Sequence, residues 1–190
     1  MGGIDHLPST PFPAGVCRNG SLEERRWAAV QWSLLWASLF DGKKCAAIFD
    51  IDSTLVYTKD GVTFPIPSMQ DAFRSLQKMG VALFAVTARS SLGKEQTSSM
   101  MREQGLEPRH LFMHPENVPL QSARDAARQK RRAREKIESK GYLVVLSYGD
   151  AWSDHDVSSR SELAFKVGDE VAIFMLDDSC AHIKVPTIKE

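Results

Sequence analysis

The sequence predicts an α/β fold, a Rossmann-like core of about five parallel strands with helices on both faces. Three observations carry this reading. Short apolar runs alternate with longer polar, helix-forming segments from Cys45 to Leu176, the pattern of strands covered on both faces by crossover helices. Helical segments stop at Gly80, Gly105 and Gly141, as helix C-termini commonly do. Two of the apolar runs lead directly into clustered carboxylates and a third into hydroxyl groups, and in such folds ligands bind at the carboxyl ends of the strands.

Residues 1 to 20 hold three prolines and four glycines and read as an irregular or disordered leader, with residues 21 to 190 as a single domain. Ser21-Leu22-Glu23-Glu24 forms a capping box that opens a helix from about Leu22 to Phe40. Its most apolar part, Trp27 to Phe40, is 14 residues long and is interrupted by Gln31, Ser33 and Ser38, too short to span a bilayer. Few Lys or Arg flank it, so packing on the core is expected rather than binding to a membrane surface. Ala46-Ala47-Ile48-Phe49 is the first strand. Leu55-Val56-Tyr57 and Val62-Thr63-Phe64 flank an Asp60-Gly61 turn, a hairpin signal. A helix over Asp71–Met79, a strand over Val81–Val86, a helix over Ser91–Gln104 and a short strand at Leu111–Met113 follow. A charged helix over Ser122–Ser139, a fourth strand over Tyr142–Ser147 and an outer fifth over Val171–Leu176 complete the pattern. Only 32 residues lie between Thr54 and Thr87, and they must hold the hairpin, a helix and a strand, so no large cap domain fits there.

Composition limits function as well as fold. The 190 residues carry 24 Lys plus Arg and 24 Asp plus Glu, a formal net charge of zero. That argues against a disordered polyelectrolyte and against a protein that coats nucleic acid through a uniformly basic surface. Cys17, Cys45 and Cys180 are too irregularly spaced for a zinc pattern or a disulfide framework. Met1 to Gly20 lack the basic and apolar regions of a secretory signal, so a cytoplasmic chain with reduced thiols is expected.

The chemistry gathers at strand ends. The first strand runs into Asp50-Ile51-Asp52-Ser53-Thr54. Two close carboxylates repel unless a cation or a proton separates them. Mg²⁺ would satisfy them through hard oxygen ligands; the alternatives are one carboxylate as nucleophile and the other as acid and base, or plain turn capping. The second strand ends in Thr87-Ala88-Arg89-Ser90, where a hydroxyl can bind a phosphoryl oxygen or cap the next helix. The fourth ends in Gly149-Asp150-Ala151-Trp152-Ser153-Asp154, a flexible turn with two further carboxylates.

Together, Asp50-x-Asp52-x-Thr54, Thr87, a downstream lysine and Gly149-Asp150-x-x-x-Asp154 resemble the haloacid-dehalogenase-like (HAD) phosphatase superfamily. The stretches AIFDIDSTL, KGY and GDAWSD are most similar to class B acid phosphatases and plant vegetative storage proteins. The resemblance implies a HAD core with a small β-hairpin flap over the nucleophile, and a phosphomonoesterase working through an aspartyl-phosphate. It implies Asp50 as nucleophile and Asp52 as general acid and base. Mg²⁺ would be held by Asp50, the backbone carbonyl of Asp52, Asp150 and Asp154. Thr87 would bind the phosphoryl group, with Ser53, Thr54 and Arg89 contacting the substrate. The resemblance also calls for one lysine ahead of the fourth strand; the storage-protein pattern, counted back from Lys140-Gly141-Tyr142, implies Lys130, with Lys136 as second choice.

Asp177-Asp178, after the fifth strand, is a competing acidic motif. Tyr57, Phe64, Trp152 and His155 are candidates for the entrance of the site, while His114, His182 and Cys180 read as structural or exposed. The expected partner is a phosphorylated small molecule or macromolecular phosphoester, with an oligomer possible and no membrane. Two other enzymatic readings share the scaffold, a phosphotransferase and a nucleic-acid end-processing phosphatase. The second draws on Arg124 to Lys140, which hold eight Lys or Arg against Asp125, Glu135 and Glu138, but nucleic acid is not the favoured partner. A non-enzymatic storage or binding protein is the third class.

Overall fold

The computed structural model describes residues 21–38, 40, 44–116, 122–155, 163–167, 172–175 and 183–184. The leader, Cys17, Asp177, Asp178, Cys180, His182 and the side chains of Trp152 and His155 lie outside the described residues. The elements are α1 (Leu22–Ser38), β1 (Cys45–Phe49), β2 (Val56–Lys59), β3 (Val62–Pro65), α2 (Pro67–Lys78) and β4 (Ala82–Ser90). After a short 3-10 turn come α3 (Lys94–Glu103), β5 (His110–His114), α4 (Ala123–Glu138), β6 (Leu143–Gly149), β7 (Leu163–Lys166), β8 (Ala172–Met175) and β9 (Ile183–Lys184). The main sheet has the order β5-β4-β1-β6-β7-β8-β9, and its first five strands are parallel.

The central strands alternate their side chains between two cores, as the pleat requires. Ala47, Phe49, Leu83 and Ala85 face one side and pack with Val30 and Trp36 of α1, Phe73 and Leu76 of α2, and Met101 of α3. Ala46, Ile48, Phe84 and Val86 face the other side and pack with Ala133 and Ile137 of α4. Burying one such large apolar side chain is worth about 1.5–3 kcal/mol, so both layers hold the sheet strongly. The register between β1 and β6 slips between Ala46 and Ala47; this bulge puts Val145 and Leu146 in the same core. No helix among the described residues is long and apolar enough to cross a membrane.

Local signals explain most element boundaries. Ser21 and Glu24 close the capping box at 2.7 and 3.3 Å. The turn between β2 and β3 has Asp60 at φ 52° and Gly61 at φ 77°, as a two-residue turn with both residues left-handed requires. The second helix starts at Pro67 rather than Asp71: proline pre-sets the first turn, and Glu23 of α1 accepts the free Ser68 N–H at 2.9 Å. The second strand is longer than expected and runs through Thr87 and Arg89 to Ser90, which pairs with His114 and caps the following turn by accepting the Leu92 N–H.

The fifth parallel strand is Leu163–Lys166, not Val171–Leu176. β7 pairs in parallel with β6, and β8 then returns antiparallel against β7. The link is too short for anything else, because a parallel crossover needs a dozen or more residues and only residues 167–171 separate the two strands.

Ser122 caps α4 by accepting the Asp125 N–H at 3.2 Å, while its hydroxyl donates to Asp125 Oδ2 at 2.8 Å. Ser122→Ala is expected to lower the unfolding free energy by about 1 kcal/mol, read by urea denaturation.

Candidate active site

The pleat that sorts the core also aims the first carboxylate. Ala46 and Ile48 face α4, so Asp50, the next residue in that alternation, points toward the same helix just past the end of β1. The Asp50 N–H donates to the Tyr148 carbonyl at 2.9 Å, tying the end of β1 to β6. On α4, Lys130 is buried and its Nζ reaches Asp50 Oδ1 at 2.9 Å. The same ammonium bonds Asp154 Oδ1. Asp154 lies in the 3-10 turn Trp152–His155 after β6, where its Oδ2 accepts the Ala151 N–H at 2.9 Å.

Gly149 makes that turn possible. A Cβ at this position would overlap the Asp154 side chain outright, so any larger residue would push the carboxylate away from Lys130. Asp50, Asp150 and Asp154 offer carboxylate oxygens all within 4.8 Å of one another. Burial, reinforced by the neighbouring Asp154 charge, pushes the Asp50 carboxyl up to about 8, with Lys130 pulling the other way. Burial also works against the Lys130 charge, but Asp50 and Asp154 outweigh it and hold that ammonium above its ordinary range.

Three carboxylates gather where one lysine pairs with two of them, leaving an excess of negative charge that favours a cation. The donor set therefore fits a divalent metal such as Mg²⁺. The carboxylate of Asp52 is not part of this group. It is half exposed, and Arg89 grips it with two hydrogen bonds, Nε to Oδ2 at 2.9 Å and Nη2 to Oδ1 at 2.6 Å. The hydrogen bonds that Arg89 donates to Asp52 raise its affinity for its own proton. The expected substrate contact at Arg89 is thus a guanidinium already engaged with a neighbouring carboxylate.

The remaining candidates are placed as follows. Thr87 is fully buried, and its Oγ1 accepts the Arg89 N–H at 3.2 Å; its carbonyl accepts from Gln129 Nε2 at 3.4 Å. Thr54 is fully buried, with no hydrogen-bond partner for its hydroxyl among the described residues. Ser53 is exposed at φ 55°, a left-handed residue in the sharp turn after β1. Lys136 is exposed and lines a separate groove beside β5, so Lys130 is the lysine that meets Asp50. Tyr57 and Phe64 stack at 5.2 Å on the hairpin. His114 is buried at the end of β5.

Arg134 is not among the site residues that the sequence suggests. It is 1% exposed and lines a small cavity with Asp50, Lys130, Tyr148 and Asp154. The available signal was its position four residues after Lys130, which places both on one helix face.

With the geometry in place, the comparisons with known proteins decide the family. The model of the HAD superfamily, subfamily IIIB (acid phosphatase), matches residues 56–180, about two thirds of the chain.

The chain belongs to this acid phosphatase family of the HAD superfamily.

The match begins after Asp50 and Asp52, so the first acidic pair rests on the site geometry and not on the family model. No curated protein sequence matches the chain. Among solved structures, the class C acid phosphatase from Bacillus anthracis is similar with TM-score 0.53 and 17% identity, covering 78% of this chain and 67% of that one. A chain of the Pnkp1/Rnl/Hen1 complex is similar with TM-score 0.54 and 14% identity over 68% of this chain. This chain spans about half of that relative, 48% of its length. At these identities the likeness shows a shared fold.

Two outcomes follow from the packing and charge of the site. Gly149→Ala is expected to destabilise the protein by about 1–3 kcal/mol through overpacking and to weaken divalent-metal binding, measured by denaturation and by calorimetric titration with Mg²⁺. Without metal, Asp50 binds its proton more tightly folded than unfolded. Stability is therefore fullest below the ordinary carboxylate pKa and is lost as pH rises toward about 8. In chelator, the thermal midpoint is expected to fall between about pH 5 and about pH 8, and saturating Mg²⁺ to flatten that slope. A midpoint that rises over this range in chelator would mean that Asp50 is already ionised in the metal-free fold.

Proposed function

We propose that the protein is a Mg²⁺-dependent phosphomonoesterase of the acid phosphatase type, working through an aspartyl-phosphate on Asp50. The observation that carries this is the convergence of the Asp50, Asp150 and Asp154 carboxylates at the carboxyl ends of β1 and β6, with Lys130 bonded to Asp50 and Asp154. Asp52 lies two residues beyond Asp50, on the solvent side.

One oxygen of Asp50 is held by Lys130, which fixes the carboxylate for in-line attack. Asp50 attacks phosphorus and forms a new O–P bond as the bond to the leaving oxygen breaks. Asp52 donates its proton to that oxygen, then takes a proton from water as the water attacks phosphorus. As the bond from water to phosphorus forms, the Asp50 O–P bond breaks, inorganic phosphate leaves, and both carboxyl groups return to their starting states. Arg89 orients Asp52 through its two hydrogen bonds, one of which opens when Asp52 takes up the proton it donates. Thr87, beside β1 on β4, offers a hydroxyl to the phosphoryl group, and Lys130 balances charge between carboxylate and phosphate. Asp50, Asp150 and Asp154 would hold the metal, which supplies charge neutralisation between the nucleophile and the phosphate oxygens.

Access supports hydrolysis over transfer to an alcohol. The hairpin β2–β3 is short and most of its residues are exposed, and the Asp52 carboxylate beside Asp50 is half exposed. The same openness suits a phosphorylated small molecule or the phosphorylated end of a larger one. A storage or binding role alone would not need a buried, lysine-held carboxylate.

Phosphate release from an aryl phosphate tests the reading. Asp50→Asn is expected to lower kcat by about 10³-fold or more, and Asp52→Asn by about 10²–10⁴-fold. Chelator should abolish release and Mg²⁺ restore it. Undiminished release by Asp50→Asn would overturn the aspartyl-phosphate mechanism.

A further inference from the structure

The basic segment Arg124–Lys140 divides into two faces once α4 is placed. Lys130 and Arg134 turn inward and are buried. Arg128, Arg132 and Lys136 follow one another at intervals of four and line a groove of about 230 Å³ between α4 and the end of β5. Phe112 and Met113 of β5 add apolar lining to the groove. The acidic residue at this groove is Asp125, which sits 3.9 Å from Arg128. Arg132 and Lys136 form no salt bridge among the described residues, whereas Arg131, off the groove, pairs with Glu135. A chain with zero net charge thus keeps a local excess of positive charge in one concave strip.

The strip lies next to the candidate active site on the same helix, though the two cavities share no lining residue. Gln129 lines the groove and donates to the Thr87 carbonyl, and the next residue, Lys130, holds Asp50. The groove is smaller than the roughly 300–1,000 Å³ that encloses a whole small molecule. It suits a segment of an extended ligand whose end lies elsewhere. Repeated cations beside an apolar lining match the demands of a single nucleic-acid strand, whose backbone phosphates meet Lys and Arg while bases cover apolar surface.

We infer that this groove binds the phosphodiester backbone of a single-stranded oligonucleotide whose terminal phosphate is presented to Asp50. The inference rests on the phosphomonoesterase reading for the chemistry, but the groove itself is tested by binding alone. The full chain carrying Asp50→Asn is titrated against a fluorescent, terminally phosphorylated 8-mer, and anisotropy is followed over a range of salt. Adding Arg128→Glu and Arg132→Glu is expected to weaken binding about tenfold or more and to make the log–log salt slope shallower by about 1.4, two contacts on a single strand. Lys78→Glu with Arg102→Glu, exposed changes of equal charge on α2 and α3, should leave binding at the Asp50→Asn level.

In chains that keep Asp50, aryl phosphate turnover should be the same with and without the groove changes, which also shows that those variants fold. Equal oligonucleotide binding with and without the groove changes would overturn the inference. So would inorganic polyphosphate competing as well as the oligonucleotide, because the groove would then read charge and not a nucleic-acid strand. Absence of aryl phosphate turnover in the unaltered chain would overturn the hydrolase reading instead, with the binding result still standing.

Discussion

The structure turns on a lysine buried between two aspartates. Lys130 bonds both Asp50 and Asp154, and each of these three side chains is removed from solvent. Burying ions is expensive, and removing one partner from such a group costs about 3–5 kcal/mol because the others stay charged and unpaired. The arrangement therefore constrains everything around it. Helix α4 must sit against β1 and β6 at one rotation, β6 must end in a residue without a side chain, and the turn after it must fold back on itself. The net charge of the group explains why it is suited to a cation. Lys130 offsets one carboxylate, and burial, with the Asp154 charge added, raises the proton affinity of Asp50. A proton or a divalent metal can relieve that repulsion, and phosphoryl chemistry uses the second.

Helix α4 links stability to chemistry. Ala133 and Ile137 pack on the sheet, and the same face delivers Lys130 and Arg134 to the carboxylates. The neighbouring face carries the basic groove. One helix thus sets the core, the charge balance of the site and the ground beside it. Its phase is fixed by the apolar residues, since these bury the area that outweighs the ordering cost. The cations follow wherever that phase puts them. The pair Asp52–Arg89 plays a smaller part at the edge of the site, joining the turn after β1 to β4 at the surface. Being partly exposed, it serves orientation more than stability.

Much of this was legible in the chain. The apolar runs gave the central strands because a strand buried on both faces must be apolar at nearly every position. Ser21, Asp60 and Gly61 marked their cap and turn through local hydrogen bonding and backbone conformation, which depend on near neighbours alone. The spacing of Asp50, Gly149, Asp150 and Asp154 marked strand ends with carboxylates to place. The outer edge was harder: Ala172–Met175 is as apolar as a parallel strand, and its direction follows from the short link after β7, a strand that the sequence reading passed over.

By itself the sequence determined that an α/β sheet would carry acidic residues at its carboxyl edge, because periodicity and strand-end chemistry are written in consecutive residues. The tertiary structure alone decided which of the eight Lys and Arg between Arg124 and Lys140 would be buried, that Arg134 would join Lys130, and that Asp52 would pair with an arginine 37 residues away. Those outcomes depend on the rotation of α4 against the sheet and on the neighbour order of β4, β1 and β6. Both are set by the packing of two cores, to which residues throughout the chain contribute at once.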